Sequence, residues 1–462
     1  MEPTASPFRR TSSRRASALG ALACAGLALL GASLGARPVA SQSPPPPGQV
    51  REFDITGGNQ RFAVPECVPR KGDEASREAC RTITSVLRSD LAFEGLQFVP
   101  ESLQGAIPPM NPEAPRFDDW RGIGAAVLVV TRAEVTGGEL SVEVKVHFVA
   151  SGASMLARRY SGRADNPRVF AHQASDDILT LTQIKGVARS KIAFVSDRDS
   201  PRGGRGSKEL YIIDYDGFNP RRVTVNNSIN ILPAWSPDGR QLAYVSYRQG
   251  GPLLFLASIF EGKSTPNLSK EGGNGQAFAP SFSPDGQKLA YASNRTGNTE
   301  VWVMNANGTG ARALTATPSS DTAPCWSPTG QEIAFTSNRS GSPQLWVMDS
   351  EGLNVRRLSR VGNYNDACAW NPSRQFTEIA YTSRLEGGGF DIAVIDIASS
   401  QVRQITSGRG SCEYPSWSPN GRHLVFACNR GGRWQITVAD RLGQNVRSYS
   451  APGNNVYPDW GP

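Results

Sequence analysis

Three histidines, His147, His172 and His423, are the only imidazoles in the 462-residue chain. Acid–base or metal chemistry would most readily start from such groups. They stand in a strand, a helix and a repeat strand, each reading as a structural position, with His147 on the polar side of its strand. No G-x-S-x-G elbow occurs beyond residue 40, and no Walker loop or dinucleotide fingerprint occurs, so serine-hydrolase and nucleotide chemistry find no support. No C-x-x-C or Cys/His spacing suggests zinc. The expectation is a protein without catalytic residues, bound metal or cofactor. The chemistry left is recognition, and its candidates are polar residues just upstream of a recurring aromatic motif: Gln276, Asp321, Thr322, Tyr364, Asn365, Asp366 and Glu413. Variable polar loops on a rigid scaffold are where binding sites concentrate.

The motif itself supplies the scaffold. W-S-P-D-G begins at Trp235, and copies begin at Phe282, Trp326, Trp370 and Trp417, with a last fragment at Trp460; the steps are 47, 44, 44, 47 and 43 residues. Such a period marks a repeat architecture. Each copy is followed by an apolar run, such as K-L-A-Y-A-S at Lys288 or E-I-A-F-T-S at Glu332, and six such runs begin at Lys191, Gln241, Lys288, Glu332, Glu378 and His423. Strands covered on both faces read this way. Four strands per unit and six units predict a six-bladed β-propeller. The first unit lacks a preceding motif and Trp460 lacks a following strand, so Val456 to Trp460 is expected to supply the innermost strand of the first blade. The motif aromatics are expected to pack between blades, with Pro and the following turn residues ending each strand.

Ahead of the repeats, residues 50–184 alternate strand and helix patterns. Glu74 to Leu91 reads as a helix with Ala79, Ile83, Val86 and Leu87 on one face, Gly137-Gly138 as a hairpin turn, and Asn166-Pro167 as the capped start of a second helix running to about Thr182. Val50–Ile55, Arg61–Val64, Phe98–Val99 and Met155–Tyr160 read as further strands, and 104–115 as a loop. An α+β N-terminal domain, a small sheet with two helices packed on it, is expected before an all-β six-bladed propeller closed by the C-terminal strand.

Residues 1–40 read as an export signal, with Arg9, Arg10, Arg14 and Arg15 before the apolar run Ala18 to Leu34. Residues 41–49, with four consecutive prolines, form a stiff leader. Removing the signal takes five arginines and one glutamate, so the net charge falls from +8 to +4. No basic cluster with interleaved aromatics follows, which argues against nucleic acid as a partner. Seven cysteines become six without Cys24. Locality favours Cys67 with Cys80 and Cys412 with Cys428, and buried free thiols are the open alternative.

The stretches I-K-G-V-A-R-S-K-I-A-F-V-S at Ile184, L-Y-I-I-D-Y-D-G at Leu210 and L-P-A-W-S-P-D-G at Leu232, in this domain order, resemble the TolB family of periplasmic Tol-Pal propellers. The resemblance covers nearly the whole chain. It implies a periplasmic, monomeric adaptor that binds a Pal-like peptidoglycan-associated lipoprotein through the propeller, and places Gln276, Ala279 and Thr322 at that contact. The family often has His where this chain has Gln276. It also implies that Val50, Arg51, Glu52, Phe53, Asp54 and Ile55 form the strand that docks a TolA-like inner-membrane protein. Competing classes are a propeller binding a small ligand or glycan in its channel, and a peptidase-type propeller.

Overall fold

The computed structural model describes residues 37–38, 60–200, 206–265, 268–270, 275–385 and 388–462. The export signal apart from Arg37–Pro38, the proline-rich leader and Val50 to Ile55 lie outside the described residues.

The N-terminal part is built on the hairpin Val127–Thr136 and Glu139–Phe148, turned at Gly137 and Gly138, both at positive φ. Two such residues in succession twist a two-residue turn to match its strands, which is why glycine stands at both. Ala153–Arg163 extends the hairpin on one side, while Arg61–Ala63 and then Gln97–Phe98 extend it on the other; Val68–Pro69 adds a further parallel pair, and Arg37–Pro38 lies at the outer edge. Alternation puts Leu140, Val142, Val144 and Val146 on one face, fully buried beneath the helices Glu74–Phe93 and Arg168–Leu179. The long helix starts at Asp73, whose Oδ1 accepts the Ser76 amide at 2.8 Å. Its Cys80 is disulfide-bonded to Cys67.

Three details depart from the sequence reading. The second helix begins after Pro167 without a side-chain cap. The stretch expected as a loop is flanked by short helices, Glu101–Gly105 and Phe117–Gly122. His147 is buried, with its ring 5.4 Å from that of Phe117, because the second short helix covers the strand face expected to be polar.

The repeats form six sheets in the expected order. Blade 3 is typical: Ala277–Phe282 innermost, then Lys288–Ser293, Glu300–Asn305 and a two-residue outer strand, Arg312–Ala313, all antiparallel. Blade 2 has three strands among the described residues, and an isolated bridge, Ala257 to Ser264, stands where a fourth would pair. The motif aromatics pack on the preceding blade. Trp235 lies on Ala193 and Ile212 of blade 1, Trp326 on Ala290, Val301 and Val303 of blade 3, and Trp417 donates its indole N–H to Ala369 O of blade 5 at 3.0 Å.

The ring closes through Asn455–Gly461, which pairs antiparallel with Lys191–Ser196 as the innermost strand of blade 1. Trp460 donates its indole N–H to Ser190 Oγ at 2.8 Å. The N-terminal domain packs against the end of the propeller carrying the motif turns: Asn420 Nδ2 of blade 6 donates to Glu94 Oε1 at 3.0 Å and to Lys185 O at 2.9 Å. The loops that precede the innermost strands emerge at the opposite end. Among the described residues no helix is long and apolar enough to cross a membrane.

Candidate functional site

Each innermost strand runs from the mouth loops down to the motif aromatic, and each carries the same irregularity. The register with the second strand slips within Ile231/Ala234, Phe278/Ser281, Thr322/Cys325, Asp366/Ala369, Glu413/Ser416 and Val456/Asp459. Inside each slip one residue takes the left-handed conformation: Leu232, Ala279, Ala323, Ala367, Tyr414 and Tyr457, with φ between 45 and 58°. A side chain pays for that conformation, and residues in it cluster where function over-determines the backbone. The next residue is proline in five blades and Cys368 in blade 5. Proline has no N–H to leave unpaired, which suits a position where the ladder is interrupted.

These six bulges converge on a cavity of about 370 Å³ at the propeller axis. Its wall is two-sided. At the position before the left-handed residue, blades 3 and 4 present Phe278 and Thr322 to the cavity and blade 5 presents Asp366, with Glu413 of blade 6 beside it; Ile231 of blade 2 and Val456 of blade 1 hold the same position outside the lining. At the left-handed position blade 6 adds Tyr414 and the neighbouring blade 1 adds Tyr457, whose rings meet edge-on at 4.4 Å. Tyr364 donates its hydroxyl to Asp366 Oδ2 at 3.1 Å and packs edge-on against Phe390 at 5.2 Å. Burial pushes the Glu413 carboxyl up, and the negative charge of Asp366 pushes it the same way. The Tyr364 phenol is raised to about 12 by burial and then by Asp366, so it stays a neutral donor. The sector of blades 5, 6 and 1 is therefore acidic and aromatic, and the sector of blades 2 to 4, with Leu232, Phe278, Ala279, Thr322 and Ala323, is largely apolar.

The residues singled out from the sequence divide into two groups. Ala279, Thr322 and Asp366 line the cavity, and Glu413 stands next to its Tyr414. Gln276 is exposed on the rim, where Asn294 Oδ1 accepts its amide at 2.8 Å. Tyr364 stands beside Asp366. Asp321 and Asn365, by contrast, are wholly buried at the starts of their strands, Asp321 first and Asn365 second. Asp321 Oδ2 accepts Arg339 Nη2 at 2.7 Å, and Asn365 bonds Gln344, Ser383 and Val361 O. They anchor the strand starts and offer no surface to a partner, as do Asn230 and Asn455 at the equivalent places. Val50 to Ile55 lie outside the described residues.

Leu232, Phe278, Ala323, Ala367 and Asp459 were not singled out, although all line the cavity. Their signal was present as the segments L-P-A-W, A-P-S-F, A-P-C-W, A-C-A-W, Y-P-S-W and Y-P-D-W, which place one unusual residue before each proline or its substitute. The cysteine pairs favoured by locality are both bonded, and the remaining two are joined as Cys325–Cys368, a link between the innermost strands of blades 4 and 5.

A family model for the TolB beta propeller domain matches residues 179–462, and one for the TolB amino-terminal domain matches residues 52–155. The chain is 37% identical over 198 residues to the Tol-Pal system protein TolB of Desulfosudis oleivorans, an alignment covering 43% of each chain. It is 38% identical over 194 residues to that of Geobacter sulfurreducens, covering 42% of this chain and 44% of that one. These alignments therefore span less than half the length of either relative. The crystal structure of TolB from Acinetobacter baumannii superposes with a TM-score of 0.71 at 26% identity, covering 87% of this chain and 96% of that one. With both of its domains matched in order and the propeller match alone taking in more than half of its length, the chain belongs to the TolB family.

Proposed function

We propose that this protein is a non-catalytic periplasmic adaptor of the Tol-Pal envelope system, supporting outer-membrane integrity and constriction at division. In this reading a Pal-like lipoprotein docks at the mouth of the propeller and a TolA-like inner-membrane protein takes the segment Val50 to Ile55, adding its strand to a sheet edge. The observation that carries the first half is the ring of six left-handed bulges, which turns side chains of all six blades into one cavity beside the exposed rim. Family membership supports the choice of partner.

The test is direct binding between the purified chain and the periplasmic domain of a Pal-like lipoprotein from the same cell. Binding is expected, and Thr322→Arg should abolish it by filling the cavity wall while the propeller stays folded. A folded wild-type chain that does not bind the lipoprotein would overturn the reading. The cavity volume also falls in the small-molecule range. A thermal shift with glycans, and none with the lipoprotein, would favour a channel ligand instead.

A further inference from the structure

The seam between the N-terminal domain and the propeller holds a buried ionic cluster that partner binding at the mouth leaves unused. Helix Glu74–Phe93 contributes Asp90, helix Arg168–Leu179 contributes Arg168 and His172, and the turn after the third strand of blade 1 contributes Tyr215 and Asp216. His172 Nδ1 lies 2.8 Å from Asp90 Oδ2, and Nε2 lies 3.5 Å from Asp216 Oδ2. Tyr215 donates its hydroxyl to Asp90 Oδ1 at 2.5 Å, and Arg168 pairs with Asp216. His172 is 3% exposed.

Both ring nitrogens of His172 thus face carboxylates, one in each domain. A neutral ring can donate from only one of them. With the proton on Nδ1 the lone pair of Nε2 would face the Asp216 carboxylate at 3.5 Å, and Nε2 makes no hydrogen bond. The imidazolium donates to Asp90 and brings its charge within 3.5 Å of Asp216, which balances the cluster, two carboxylates against two cations. The geometry points to His172 as a proton-operated clasp between the domains, closed as the imidazolium and weakened when it deprotonates.

Burial raises the Asp90 carboxyl, and the hydrogen bonds from His172 and Tyr215 and the charge of His172 work against that rise. Burial alone disfavours the charged ring, but the hydrogen bond and charge of Asp90 and the charge of Asp216 outweigh both it and the repulsion of Arg168, so His172 is held above the ordinary histidine range. Tyr215, buried beside the same carboxylates, is held well up and stays a neutral donor. A group whose folded value is raised contributes stability that is complete below its unfolded value, about 6.5, and is lost as pH rises through the folded one. The clasp therefore loosens toward alkaline pH. A second contact on the same seam, His423 stacked on Phe93 at 4.0 Å and facing Glu94 at 3.3 Å, keeps the domains together meanwhile.

Two measurements test this on the full chain. Ring-nitrogen NMR should show His172 titrating above the ordinary histidine value, and Asp216→Asn should bring it down. The thermal midpoint of wild type should exceed that of His172→Gln by several degrees near about pH 6, and the gap should shrink by about pH 9. A His172 that titrates at or below the ordinary value, or a gap that is constant with pH, would overturn the clasp and leave a merely structural histidine. A zinc-dependent rise in the wild-type midpoint that His172→Gln abolishes would overturn it too, by making the cluster a metal site.

Discussion

Asp459 is the residue in which the ring's closure can be titrated. The position before the motif aromatic is Ala234, Ser281, Cys325, Ala369 and Ser416 in the other blades, and a carboxylate only in blade 1. Its Oδ2 accepts the Trp235 amide at 2.7 Å and its Oδ1 accepts the Ser416 hydroxyl at 2.7 Å, so one side chain ties the C-terminal strand to both neighbouring blades. Burial pushes the carboxyl up to about 6, against those two hydrogen bonds. The folded value lies above the unfolded one, so the protonated form adds stability that is complete below about pH 4 and gone once pH has risen through about 6. The wild-type midpoint should therefore fall across that window, by a free energy of about 2 to 3 kcal/mol at most. Asp459→Asn, which keeps an acceptor and cannot ionise, should flatten this part of the profile in calorimetric scans. Parallel profiles for the two proteins would show that Asp459 is solvated and ionised throughout.

At the scale of elements, closure depends on how tightly the last strand is seated. A Cβ added at Gly461 would lie 2.5 Å from the Trp235 ring, with no flexible neighbour to yield. Gly461→Ala should therefore push the strand off blade 2 and cost about 1 to 3 kcal/mol, the usual range for overpacking, read from urea denaturation. An unchanged midpoint would mean that the strand does not press on Trp235. This closing strand was legible in the sequence because the first repeat and the last fragment each lacked what the other had. The second strands were legible because burial on both faces leaves a continuous apolar run. The bulges were not, since φ at Leu232 or Tyr414 is set by the register of two strands and neither residue type asks for a left-handed backbone. Nor were the helices Glu101–Gly105 and Phe117–Gly122, which are too short for a periodic pattern to emerge. Asp321 and Asn365 misled for another reason: polar residues beside a loop read as exposed, whereas a strand start needs side chains that bond the neighbouring strand and loop.

At the scale of the whole molecule, the propeller uses its two ends differently. The turn end is committed to the N-terminal domain through Glu94, Asn420 and the His172 cluster, and the mouth is not covered by that domain. The chain is basic overall, +8, yet the mouth sector of blades 5 and 6 is acidic, so the local field opposes the net charge. Asp366 and Glu413 form no ion pair with a cation of the chain among the described residues, and burial and mutual repulsion keep the Glu413 carboxyl raised. A partner that brings a lysine or arginine against this sector relieves that repulsion, and the tyrosine faces beside it favour the same charge. If the mouth binds a Pal-like domain in this way, affinity should drop as salt rises from about 0.05 to about 0.5 M, where the screening length shortens to a few ångströms. The pair of substitutions Asp366→Asn and Glu413→Gln should weaken binding about tenfold or more at low salt and remove most of the salt dependence. Calorimetric titration of both proteins across that range decides the matter: equal affinities would place the partner's weight on the apolar sector of Leu232, Phe278 and Ala279, and would leave the acidic corner as a solvated rim.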